Sequence, residues 1–182
     1  EASSDFKLED ITITGGTPGI FTQVTSSVYT LPITPAANST TSITVDVAAG
    51  RFINSSGNSN SVATQNVQAV DTTLPTIALS SSVNTLGIGG SATITATFTK
   101  DPVGFELKDL LSDNGTFSNL VVNPANPRVY TATFTPTAGV KATDAGISVA
   151  AGSYVDSVGN KGVGGVVPVA LDMIAPTVTL SS

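Results

Sequence analysis

SATITATFT, residues 91–99, sets Ala92, Ile94, Ala96 and Phe98 at every second position, with Thr93, Thr95, Thr97 and Thr99 between them. Successive side chains of a strand point to opposite faces, so this alternation gives one apolar face and one hydroxyl-bearing face. Thr and Val are β-branched and suit a pleated surface. The same period recurs in Tyr130, Ala132 and Phe134, in Ile43, Val45 and Val47, and in Val167, Val169 and Leu171. Gly, Pro, Asn and Asp break the chain between these runs, and no apolar pattern at helical spacing outlasts a turn. Short strands punctuated in this way predict an all-β chain folded as an antiparallel β-sandwich of the immunoglobulin-like kind.

The chain also repeats itself. At a shift of 99 to 102 residues, FKLEDITITGGT (6–17) aligns with FELKDLLSDNGT (105–116), and VYTLPITPAAN (28–38) with VYTATFTPTAG (129–139). VAAG occurs at 47–50 and at 149–152, each followed by a polar turn, RFINSSGN (51–58) or YVDSVGN (154–160). DTTLPTIAL (71–79) aligns with DMIAPTVTL (172–180). Repeats of this kind are stacked supersecondary units or tandem domains. The complete copy spans 72–172, with strands expected at 75–81, 91–99, 104–111, 115–122, 128–135, 146–150 and 165–171. Residues 1–71 form a partial copy without counterparts of the first two strands, and 173–182 supply the first strand of a following copy. Strand addition through 175–182 to the open edge of a partial copy in a second molecule is a further expectation.

Composition narrows the function. The net charge is −6 and the pI about 4.2, with seven basic residues spread over 182 positions. Phosphate binding needs clustered Lys and Arg, so nucleic acid is excluded as a partner. No apolar run approaches a membrane span, so no membrane insertion is expected in this segment. Cysteine and histidine are absent, which removes disulfides, thiolate zinc sites and the common Ser–His triad. Asp10 and Asp109 occupy equivalent positions in the two copies, as scaffold residues do, and no pair of acids stands out for catalysis. Among the hairpin elements, GVGG (162–165) lacks the Lys of a phosphate loop and reads as a flexible hairpin. Pro75 and Pro176 read as edge-strand or linker stiffeners, and Tyr29 and Tyr130 as core or corner residues.

The order F-x-L-x-D, N-G-T or G-G-T, V-Y-T-x-x-x-T-P, V-A-A-G, S-x-G-N and D-x-x-x-P-T resembles the bacterial immunoglobulin-like tandem repeats of giant surface adhesins and biofilm-associated proteins. The resemblance implies an extracellular location on the bacterial cell surface and a non-enzymatic extender or stalk role in adhesion or biofilm formation. It implies neighbouring repeats as partners, a distal adhesive target that is a glycan or a protein, and structural calcium at the joints between domains. The residues it points to are Asp156, Asn160 and Asp172 at the second junction and Asn54, Asn58 and Asp71 at the first.

Residue chemistry is compatible with that reading. Calcium takes six to eight oxygens, Asp156 and Asn160 offer side-chain oxygens at the two ends of a turn, and Gly159 lets the backbone fold back between them. Asp172 would add a third oxygen. Two departures stand against the family pattern. Asn54 replaces the acid in the first copy, and Lys100 stands near where related repeats carry Glu, leaving Asp101 as the substitute ligand. An Asp or Asn beside Gly also serves simply to satisfy its own turn backbone. The rival functions are a binding module, using the loops at 15–23 and 123–128 to hold a glycan or protein, and an accessory domain of a secreted enzyme. Aromatic residues make up only 5% of the chain and Trp is absent, which disfavours a glycan platform.

Overall fold

The computed structural model describes residues 1–3 and 5–181 and divides into two compact units, Glu1–Thr73 and Leu74–Ser182. Unit 1 contains β1 (Ile11–Thr14), β2 (Gly16–Pro18), β3 (Thr22–Thr25), β4 (Val28–Thr30), β5 (Ile33–Pro35), β6 (Ile43–Val47) and β7 (Asn66–Gln68). β1, β6 and β7 form one antiparallel sheet, while β2 pairs with β5 and β3 with β4. Ile43 is its one fully buried apolar side chain among the described residues. An aromatic cluster supplements that thin core: Phe6 lies 4.8 Å from Phe52 and 5.1 Å from Tyr29, and Phe21 stacks on Tyr29 at 5.3 Å.

Unit 2 is the complete sandwich. It contains β8 (Ile77–Ser81), β9 (Thr85–Gly87), β10 (Ala92–Phe98), β11 (Leu110–Leu111), β12 (Gly115–Asn123), β13 (Asn126–Pro136), β14 (Lys141–Ala142), β15 (Ile147–Val149), β16 (Gly165–Val167) and β17 (Ala170–Asp172). One sheet runs β12-β13-β10-β8, a second β11-β15-β16, and a third β14-β17-β9. In SATITATFT the alternation is realised as read: Ala92, Ile94, Ala96 and Phe98 are each 1–3% exposed, and the threonines face outward. β10 is flanked on both sides, by β13 with Ile94 opposite Ala132 and by β8 with Ala96 opposite Leu79. In unit 1 the counterpart of β13 is split into β4 and β5, each with one partner strand among the described residues.

Several expectations are corrected. Of the strand expected at 104–111, only Leu110–Leu111 is extended, because Leu107–Asp109 form a 3-10 turn capped by Asp109, whose Oδ2 accepts the Glu106 N–H at 2.7 Å. Asp10 caps the equivalent turn by accepting from the Lys7 N–H at 3.0 Å, so F-x-L-x-D encodes a turn. The run expected at 165–171 divides into β16 and β17 around Pro168, which has no N–H to give. β9 and β14 are too short to leave a periodic signal. The segment at 175–182, expected as the first strand of a following copy or as a strand added to a second molecule, has neither partner in this single chain, and its described residues lie outside the strands. Val178 and Leu180 there are 85% and 91% exposed, and Ser182 lies outside the described residues.

The core of unit 2 has two halves. Leu86, Ala92, Phe134, Ala145, Val169, Leu171 and Met173 pack together, as do Ile77, Phe98, Phe105, Leu110, Val149 and Tyr154. Each large side chain so buried is worth about 1.5–3 kcal/mol. Ala92 opens β10 and Phe98 closes it, so the two halves meet within this seven-residue strand, between Ile94 and Ala96, and its two ends lie roughly 20 Å apart at about 3.3 Å per residue. The chain enters unit 2 at the Ile77–Phe98 end and leaves at the Met173 end.

Candidate functional site: the Asp156 loop

The loop following β15 is built for a buried carboxylate. Gly152, at φ +80°, turns the chain out of the VAAG phrase, and Tyr154 is buried beneath it. Val155 then pairs with Val103 through two backbone hydrogen bonds of 2.8 and 3.1 Å, which clamp the loop to the segment just beyond β10. The Asp156 N–H donates to the Asn160 carbonyl at 3.0 Å and the Gly159 N–H to the Asp156 carbonyl at 3.1 Å. Gly159 sits at φ +91°, a left-handed conformation that a Cβ disfavours.

Asp156 is 3% exposed, and its carboxylate is fully engaged. Oδ1 accepts the N–H groups of Val158 at 3.1 Å and Asn160 at 2.9 Å. Oδ2 accepts the Asn160 side-chain amide at 2.9 Å and the Lys100 ammonium at 2.8 Å. Burial pushes the carboxyl up, but the hydrogen bonds from Lys100, the Asn160 side chain and the two backbone N–H groups outweigh it and hold the group far below the usual carboxylate range.

A carboxylate offers about four lone-pair sites, and donors take two on each oxygen here. A calcium ion would have to displace the Lys100 ammonium and find the Asn160 carbonyl oxygen where the amide nitrogen now points. The donor set around Asp156 therefore does not fit calcium. No group of three or more acids that could hold a metal occurs among the described residues.

Within unit 2, two other predicted ligands, Asp172 and Asp101, are engaged in ion pairs of their own. Asn160 is brought to Asp156, but Asp172 is not: it lies in β17, next to Met173 at the opposite end of unit 2, paired with Lys141 at 3.0 Å. Lys141 and the Ile174 N–H hold the Asp172 carboxyl below its usual range. Asp101 pairs with Arg128 Nε at 2.6 Å. In unit 1, Asn54 Oδ1 accepts the N–H groups of Ser56 at 3.0 Å and Asn58 at 2.9 Å, while its amide donates to the Glu1 carboxylate. Asp71 Oδ1 accepts the Thr73 N–H at 3.0 Å. The two copies thus close the same turn with opposite polarity. A loop acid meets a base in unit 2, and a loop amide meets an acid in unit 1.

Sequence reasoning missed two residues of this end. Lys100 stood out only as a departure from a pattern, although a basic residue two positions beyond Phe98 was the available signal. Tyr154, two positions before Asp156, was not singled out. Its hydroxyl donates to the Val163 carbonyl at 2.9 Å, with the Pro75 carbonyl 3.3 Å away, which makes Pro75 a buried core residue. GVGG is likewise corrected from a flexible hairpin to a packed one, since a Cβ on Gly162 would meet the Tyr154 ring and one on Gly165 would meet Ile77. In the loop at 15–23, Phe21 turns onto Tyr29 and Phe6 and so presents no outward platform.

A family model described as "Bacterial Ig-like domain" matches residues 1–70 and again 71–173. No curated protein and no solved structure matches the chain.

Proposed function

The chain belongs to the bacterial Ig-like domain family, and we propose from that premise that it is a non-enzymatic extender segment of a bacterial cell-surface adhesin, spacing an adhesive part from the cell. One observation carries the reading: unit 2 receives the chain at its Ile77–Phe98 end and releases it at its Met173 end. A module threaded this way adds its own length each time it is repeated. The linker between the two family matches contains no inserted segment, so the copies follow one another directly. Short connections containing Pro limit bending.

The chemistry of the site supports a structural role. The buried acids among the described residues are Asp10 and Asp156, and both are spent on capping their own loops. An acid saturated with donors is poorly placed to take a proton from a substrate.

The test is replacement. In a surface protein carrying this segment, an unrelated pair of β-sandwich domains of equal length should restore adhesion, whereas a short flexible linker should not. Failure of the length-matched substitute would show that the segment's own surface binds the target.

A further inference from the structure

We propose that Lys100 is the built-in cation of the Asp156 loop, so that unit 2 closes this end with an ammonium group and recruits no divalent ion there. The inference stands on local geometry and holds whether or not the segment acts as a stalk. The ammonium is delivered by a rigid element. Phe98, two residues earlier, is 3% exposed with the rings of Phe105 and Tyr154 each 4.9 Å away, and the Thr99 N–H donates to the Thr76 carbonyl at 3.0 Å. Lys100 Nζ then reaches Asp156 Oδ2 at 2.8 Å, with 25% of the Lys side chain and 2% of the Asp side chain exposed.

A cation in this position satisfies the two demands that a buried carboxylate makes, charge compensation and a donor for its remaining lone pair. The Asn160 amide and two backbone N–H groups satisfy the other three. The first copy reaches the same end without a charge in its loop: Asn54 carries no charge to neutralise, and its amide donates to Glu1. Asn in one copy and Asp in the other are therefore two matched solutions, each complete with partners from the protein itself.

The test is thermal unfolding of the 182-residue chain in excess chelator, in millimolar calcium and in millimolar magnesium, for the wild type, K100R and K100M. The wild type should melt at the same temperature in all three. K100M should melt several degrees lower in chelator, with K100R between the two. A calcium-specific rise in the wild type that D156N removes would overturn the proposal, and so would a K100M variant as stable as the wild type. A calcium-specific rise that D156N retains belongs to another site and agrees with it. Should the Lys100 variants fail to fold, calorimetric titration of calcium into the wild type decides alone. A saturable heat that D156N lacks overturns the proposal, and no such heat upholds it.

Discussion

The ring of Tyr154 lies flat against Gly162, so closely that a Cβ built on the glycine falls 2.2 Å from the ring carbon Cζ. Tyr154 is 1% exposed and cannot retreat, since Phe98 and Phe105 hold it edge-on at 4.9 and 6.3 Å. The second glycine of the loop has a different reason to be there. Gly159 stands at φ +91° with open space around its missing Cβ.

These two glycines predict different penalties. Gly162→Ala overpacks the core and should cost about 1–3 kcal/mol, with a change in the near-ultraviolet signal of Tyr154. Gly159→Ala carries only backbone strain, about 1–2 kcal/mol, and should leave that signal intact. Urea unfolding of the two variants, followed by near-ultraviolet dichroism, separates them.

Tyr154 also sets an alkaline limit. Burial pushes its phenol up to about 12, against an ordinary value of 10.0. The contribution is complete below the unfolded value and is lost as pH rises through the folded one, so stability should fall between about pH 10 and 12. Tyr154→Phe should cost about 0.5–1.5 kcal/mol at neutral pH, the net worth of an ordinary hydrogen bond, because the Val163 carbonyl loses the hydroxyl while the Pro75 carbonyl keeps the Val163 N–H. It should also remove the Tyr154 part of the alkaline loss. Denaturation at pH 8 and pH 11 checks both.

Asp156 sets the acid limit with the opposite sign. Its folded value is depressed, so the contribution is present above the ordinary carboxylate value of 3.8 and is lost as pH falls from there toward the folded value. Asp156→Asn should cost about 1.5–3 kcal/mol at neutral pH, the range for a hydrogen bond to a charged group. The gap between wild type and variant should narrow below pH 3.8. Unfolding free energies at pH 7 and pH 3 give the comparison.

The parts of this fold that repeat a physical constraint were legible in the sequence. Period two in β10 and β13 gave the faces of the central strands, because burial on one side forces the alternation. The glycines of VAAG and S-x-G-N gave the turns, because Gly50, Gly57, Gly152 and Gly159 all take positive φ. Asn38 and Gly139 share that conformation at equivalent positions, which explains the AAN and TAG pair. Elements whose cause is distant in sequence were not legible. β9 spans three residues and exists through its parallel pairing with β17, Leu86 lying opposite Leu171. The partner of Asp156 is 56 residues away, and nothing in YVDSVGN announces that its counter-charge comes from the end of β10. The turn predicts an acid in need of a cation. Only packing shows that the cation is a lysine.

The claim most central to this account is that unit 2 carries tension from the end where the chain enters to the end where it leaves. Pulling along that axis loads the β8–β10 bonds and the parallel β9–β17 bonds together in shear, whereas pulling on two points at one end peels them in turn. The cysteine-free chain allows handles to be placed by single introduced cysteines. We would measure single-molecule unfolding force with handles at the two chain termini and, separately, at Leu74 and Val158, both at the Tyr154 end. The account predicts a distinct rupture of unit 2 in the first geometry, releasing about 3.5 Å of chain per residue, at a clearly higher force than in the second. Equal forces in the two geometries, or no distinct rupture on pulling end to end, would contradict it.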